Sequence, residues 1–307
     1  MVFKTAEQLI DSYLNKAEFL MLIDVELPEH EWTRVREYCF DNSLNNPELY
    51  ALLAEMYIYG LGVNFDEVLA KSSCESGIKK GSINCHYVLG LMYYYGRGKL
   101  QSYEEAIPYY EESAKKGCWR AQFKLGVCYA VPRGVKLDHK RAFELFLPVA
   151  KLGFSPAQFN VGRYIYQDKI LYEPKSDCIK WLELAANQNM EVAMEYLGDA
   201  YFNGYYVEKN LETGFDWYMK SAVYNNVGAV LKIAELYEKG IFVEQSYQKA
   251  FEYYSRANAV DNYEGNAKVR EYSKNQCHHC KAFFTKTYVK NLFGEKTICS
   301  ACKKNYY

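Results

Sequence analysis

The chain has 307 residues, half of them apolar and about a quarter charged, with a net charge of −1. That composition belongs to a folded globular protein and excludes a disordered or collagen-like chain. Near-neutral charge excludes a chain that binds nucleic acid by bulk attraction, and no apolar run approaches the roughly 18 residues that suggest a membrane span.

The N-terminal stretch MVFKTAEQLIDSYL lacks a basic segment followed by an apolar run and a small-residue site, so no signal peptide is expected. Apolar spacing predicts helices over Thr5–Met21 and Glu31–Asn42, with Leu27-Pro28 between them. Residues 1–45 fit the pattern that follows poorly and read as a degenerate unit capping an open core, as terminal repeats do. Asn46-Pro47 then supplies an N-cap and a proline at the first helical position.

From there the chain repeats. Leu53-Ala54, Leu89-Gly90, Leu125-Gly126, Val161-Gly162, Leu197-Gly198 and Ile233-Ala234 recur at a constant step of 36 residues. A fixed period of this size is the signature of a solenoid built from stacked helical hairpins. Six units follow from it, over residues 46–81, 82–117, 118–153, 154–189, 190–225 and 226–261. Each first helix, helix A, carries the pair and then, in five units, a tyrosine three residues later: Tyr57, Tyr93, Tyr129, Tyr201 and Tyr237. Glycine inside a helix costs about 1 kcal/mol against alanine, so its recurrence needs a packing reason. The expected one is close approach of the second helix, helix B, whose own small residue recurs at Ala70, Ala106, Ala142, Cys178, Gly214 and Ala250.

Between the helices, Gly60/Gly62 and Gly96/Gly98 would supply positive φ in the turn. Ser102-Tyr-Glu-Glu105 matches a capping box for helix B, and Gly81, Gly117, Gly153, Asn189 and Asn225 stand where helix B should end. In units three to six Pro132, Gln167-Asp168-Lys169-Ile170, Tyr206 and Phe242 interrupt the turn glycines, and differently shaped turns are expected there.

A-x3-LG-x2-Y-x2-G-x-G followed by KA-x2-WY-x3-A resembles the Sel-one-like repeat (SLR), a relative of the tetratricopeptide repeat, over residues 46–261. The resemblance implies an all-α fold, a right-handed superhelical solenoid of six helix–turn–helix repeats, and an adaptor role in assembling complexes. Some members of the family are secreted and stapled by disulfides. Here Cys39, Cys74, Cys85, Cys118, Cys128 and Cys178 share no column of the repeat; they read as small buried residues in a reducing, cytoplasmic protein.

Residues 262–276 read as a polar capping helix, and 277–307 as a separate module. There Cys277-His-His-Cys280 and Cys299-Ser-Ala-Cys302 form two C-x2-C knuckles, a spacing that brings four thiolates onto one structural Zn(2+) in tetrahedral geometry. Between them Phe283–Val289 and Lys296–Ile298 are strand-like around a turn over Asn291–Glu295, as in a zinc ribbon. Two disulfides or incidental cysteines are the alternative. Four thiolates leave no open position for a catalytic water, and the ligands are too few for the paired zinc sites of a RING. The module also holds six lysines against Glu295 alone, together with Phe283, Phe284, Tyr288 and Phe293, which would suit single-stranded nucleic acid. The bland reading makes those aromatics the module's own core.

No nucleophile elbow, phosphate loop or zinc-protease helix occurs, and His30, His86 and His139 are single, so no enzyme is expected. The leading expectation is a scaffold that binds a peptide or helix of a protein partner. Its contacts are sought where the units differ, in the helix A column Tyr50, His86, Gln122, Gln158, Met194 and Val230, taken from pattern as the inner face. A nucleic-acid-associated protein working through the zinc module is the second expectation. The third is an adaptor in ubiquitin-linked quality control, which is implied by the resemblance alone.

Overall fold

The computed structural model describes residues 2–15, 25–98, 100–171, 173–259, 288–291 and 294–297. Two helices, α1 (Ala6–Asn15) and α2 (Glu29–Asn42), precede six hairpins. These are α3 (Glu48–Tyr59) with α4 (Glu67–Lys79), α5 (Asn84–Tyr95) with α6 (Tyr103–Lys115), and α7 (Trp119–Ala130) with α8 (His139–Lys151). Then come α9 (Ser155–Tyr166) with α10 (Asp177–Ala186), α11 (Glu191–Asn203) with α12 (Leu211–Val223), and α13 (Val227–Lys239) with α14 (Tyr247–Asn258). The described residues are thus all-helical apart from a short antiparallel hairpin, β1 (Tyr288–Asn291) and β2 (Gly294–Thr297), registered Tyr288 on Thr297 and Asn291 on Gly294. The expected helix over 262–276 and the four cysteines of the expected zinc site lie outside the described residues. The chain divides into two compact units, Met1–Tyr164 and Ile165–Tyr307, the division falling inside α9.

Within each unit the strongest packing is between the A and B helices of one hairpin, and B then packs on the next A, as α4 does on α5 and α12 on α13. The glycine of the Leu-Gly pair explains the first contact. A Cβ on Gly90 would sit 2.5 Å from Cε1 of Tyr110, on Gly126 2.7 Å from Cε1 of Phe146, and on Gly198 2.5 Å from the Tyr218 ring. The three rings are themselves one repeat column. So the mid-helix glycine is a seat for an aromatic side chain of helix B. The small column on helix B makes the close approach too: a Cβ on Gly214 would lie 2.8 Å from the Phe202 amide nitrogen.

The start of helix B is fixed by two hydrogen bonds that recur with the repeat. Asp66, Ser102, Asp138, Asn210 and Ser246 each accept from the amide three residues on, at 2.8 to 3.3 Å. Their own amides donate to the carbonyls of Tyr57, Tyr93, Tyr129, Tyr201 and Tyr237 at 2.9 to 3.2 Å. This corrects the capping box: the Ser102 amide is taken by Tyr93, so only half of that motif forms. Repeat four has Pro174 at this position, which has no amide to give, and α10 starts later, at Asp177.

The turns correct a second expectation. Gly60, Gly62, Gly96 and Gly98 take positive φ, and so do Gly204 with Tyr206 (φ 61) and Gly240 with Phe242 (φ 67). Repeats five and six therefore keep the same left-handed pair without the second glycine. Repeats three and four do differ, with positive φ at Gly134 alone and at Asp168 alone. The helix B ends behave as expected, since Gly81, Gly117, Gly153, Asn189 and Asn225 all have positive φ.

Candidate interaction face

The variable column does not form an open surface. Gln158, Met194 and Val230 are 4%, 4% and 1% exposed, and Tyr50, His86 and Gln122 are partly buried. Three of these residues meet helix B residues. Tyr50 packs on Gly77 of α4, and Gln158 Nε2 donates to the Ala150 carbonyl of α8 at 3.3 Å. Met194 shares a pocket with Ala186 of α10 and Trp217 of α12. Burial also lowers the His86 pKa, as expected of an imidazole kept from water.

A buried polar network, which sequence reasoning missed, spans the first three repeats. Arg120 Nη1 of α7 donates to Glu55 Oε1 of α3 at 2.8 Å, and Arg120 Nη2 donates to the Tyr13 hydroxyl of α1 at 3.1 Å. That hydroxyl in turn donates to Glu55 Oε1 at 2.9 Å. The guanidinium lies 5.0 Å from the Tyr13 ring and 4.8 Å from the Tyr87 ring of α5. Both charged side chains are nearly inaccessible, at 6% and 2%. Burial holds the Tyr13 and Tyr87 phenols well above their usual range, so both stay neutral donors. One signal was present in the sequence: Glu55 is a lone charge inside the apolar run LYALLAEMYIY. The start of α1 is fixed separately, its Ala6 amide donating to Glu31 Oε2 at 2.7 Å.

Beside this closed region, unit 1 presents a basic, tyrosine-lined edge. Lys124 Nζ donates to the Tyr95 hydroxyl at 2.9 Å and lies 5.6 Å over the Tyr94 ring. Arg133 lies 5.6 Å from the same ring and 5.5 Å from that of Tyr103, and its Nη1 donates to the Tyr94 hydroxyl. Tyr95 is 46% exposed. Exposed Arg97 holds the turn position of Arg133 one repeat earlier and acts electrostatically on Tyr59. Unit 2 has its own aromatic group: Tyr166 meets Tyr196, Tyr205 and Tyr206 edge-on, and Lys175 pairs with Asp168 at 2.7 Å.

Among the described residues no group of three or more His, Cys, Asp or Glu side chains is placed to hold a metal ion. No described helix is long and apolar enough to cross a membrane. The scattered cysteines are free and buried, and burial pushes the Cys39 and Cys178 thiols up to about 12 and that of Cys128 to about 11.

Two solved structures are similar to the chain. One is c5321, a protective antigen present in uropathogenic Escherichia coli strains and displaying an SLR fold, at 26% identity and TM-score 0.67; the match covers 78% of this chain and 50% of that one. This chain thus spans half the length of that relative. The other is a Sel1 repeat protein from Oxalobacter formigenes, at 23% identity and TM-score 0.64, covering 76% of this chain and 100% of that one. No curated protein matches the chain. The Sel1 repeat itself is matched over residues 47–71, 83–118, 119–154, 155–190, 192–222 and 226–259, in phase with the six hairpins, and the chain belongs to the Sel1 repeat family.

Proposed function

We propose that the chain is a non-enzymatic scaffold that holds a protein partner on the exposed side of its A helices and turns. One observation carries this reading. The Leu-Gly pair and the small column of helix B repeat from unit to unit, whereas the exposed edge changes from Arg97, Lys124 and Arg133 to the Tyr166, Tyr196 and Tyr205 group. A surface that varies on a constant frame is what a recognition surface requires. Sel1 repeat proteins are in general protein-interaction scaffolds, which supports the same reading.

The test is cross-linking of the full chain to captured partners from its source cell. Substitutions at Tyr95 and Tyr205 should remove partners, while Val68→Ser and Val223→Ser, at residues 69% and 71% exposed on helix B, should not. Equal losses from both sets would refute the assignment of the face.

We further propose that Cys277, Cys280, Cys299 and Cys302 hold one structural Zn(2+), with a capping or docking role for the module. The support is the paired C-x2-C spacing and the β1–β2 hairpin that falls between the pairs. Metal analysis should find one zinc per chain, lost on Cys299→Ser with Cys302→Ser. Purified protein without metal and with those four thiols freely titratable would overturn the claim.

A further inference from the structure

We infer that the basic, tyrosine-lined edge of unit 1 takes an acidic peptide segment of a protein partner, whose carboxylates are met by Arg97, Lys124 and Arg133. The inference rests on the scaffold reading and adds the chemistry of the partner.

The first argument is the missing counter-charge. Several surface cations elsewhere in the chain are paired: Arg34 with Glu7 and Glu31, Arg141 with Glu144, Lys175 with Asp168, Lys180 with Asp177. Arg97, Lys124 and Arg133 have no acidic partner among the described residues, and the last two rest on tyrosines instead. A tyrosine face stabilises a cation without neutralising it. Lys124 has given one N–H to Tyr95 and Arg133 one to Tyr94, which leaves donors on each free for a carboxylate. Arginine's planar fork suits a carboxylate in bidentate geometry.

The second argument is order. The Lys124 and Arg133 side chains are already fixed by their tyrosines, so less rotamer freedom is lost when a ligand binds. Arg97 and Arg133 occupy one turn position in successive repeats, so the charge recurs with the period of the frame. A segment running along the edge therefore meets a cation in repeat two and again in repeat three. Tyr95, half exposed beside Lys124, offers ring surface to the apolar residues between the acids.

Nucleic acid is the competing occupant, because tyrosine and arginine also suit bases and phosphates. Affinity there comes from neutralising many phosphates, about 6–10 for a typical protein on duplex DNA. Three cations are few for that. The chain before Cys277 is also net acidic, since the last 31 residues carry +5 of a total of −1.

The experiment measures fluorescence anisotropy of the full chain with three labelled probes: a short glutamate-rich peptide with interspersed leucines, its glutamine twin, and an oligothymidylate of equal length. The glutamate peptide should bind, and salt should weaken the binding. The glutamine twin should bind about tenfold more weakly or worse, and Arg97→Gln with Lys124→Gln and Arg133→Gln should cause a similar loss. Circular dichroism checks the fold of that variant, and Lys124→Gln alone, at a partly exposed site, keeps the test open should the triple variant unfold. Failure of the glutamate peptide to bind, equal binding of the twin, an unaffected variant, or tighter binding of the oligothymidylate would each overturn the inference. A cell partner that is lost with Tyr95→Ala yet survives the triple substitution would sink the acidic ligand and leave the scaffold reading standing.

Discussion

The two units use one repeat pattern and join its copies differently. In unit 1 the second turn glycine is pressed against the element before it. A Cβ on Gly98 would lie 2.3 Å from Cβ of Glu67, and one on Gly134 2.4 Å from the Tyr103 carbonyl carbon. In unit 2 the same turn position carries Tyr206 and Phe242, which reach their neighbours with rings: Tyr206 lies under Lys175 at 5.4 Å, and Phe242 meets Phe215 at 5.6 Å. The polar groups follow the same division. Unit 1 buries Glu55 and Arg120 completely, while unit 2 leaves Asp199 partly exposed between the Tyr218 hydroxyl at 2.7 Å and Lys232 at 3.7 Å. Contact this close demands glycine. Ring contact keeps the same turn with a larger residue in it.

The comparison breaks most sharply at Arg120. Arg120→Met leaves Glu55 charged and buried without its partner, and should cost about 3–5 kcal/mol in urea unfolding followed by circular dichroism. Arg120→Met with Glu55→Leu should recover most of that loss, because a buried ion pair and an apolar pair of similar volume are often equivalent. A cost below about 1 kcal/mol for the single change would mean that Glu55 is not held as a charge.

The turns give the next test. Gly98→Ala adds a methyl group at φ 85 where Glu67 already stands, and should destabilise the protein by about 1–3 kcal/mol. Tyr206→Gly relieves a positive φ and gives up the ring contacts with Lys175 and Tyr166, two opposed effects that should leave stability within about 1 kcal/mol of the original. Equal losses at the two positions would show that the turns are not built differently. Gly90→Ala should come between them: it gains about 1 kcal/mol of helix propensity, less than the cost of pushing the buried Tyr110 ring aside. Gly90→Ala with Tyr110→Cys should recover part of that loss, since repeat one pairs Ala54 with Cys74 at these positions.

The frame was legible in the sequence because it depends on short-range rules. Leu-Gly pairs, helix B ends at Gly81 and Asn189, and caps such as Ser102 each express one local backbone demand repeated at a fixed step. What a glycine faces was not legible. That Gly90 seats Tyr110 is set by how two helices pack, and the sequence shows only that both positions recur. The burial of the variable helix A column was not legible for a related reason. Variation does not entail exposure: Met194 and Val230 differ from their counterparts in other repeats and are 4% and 1% exposed. The partners of Glu55 in the Tyr13–Glu55–Arg120 network could not be read from the sequence, since its members are 42 to 107 residues apart and obey no period.

The smallest expected effect tests whether unit 2 is the more open of the two. Glu195 lies against Gly228 of the next A helix, where a Cβ would come 2.2 Å from Oε1. Burial, only partly offset by a hydrogen bond from Asn226, raises its pKa above the usual carboxylate range. A carboxyl group whose folded pKa is raised contributes stability that is fully present below its unfolded pKa and is lost as pH rises through the folded value. At neutral pH the native protein therefore carries a charge it would hold more easily unfolded. Glu195→Gln removes that charge and keeps the shape, so it should raise the melting temperature slightly at neutral pH and lose the advantage as the pH falls through the carboxylate range. A gain that persists unchanged into acid would trace to packing, not ionisation. No gain at any pH would mean that water reaches Glu195 freely, and the contrast with the closed Glu55 site would then be larger than the partly buried geometry implies.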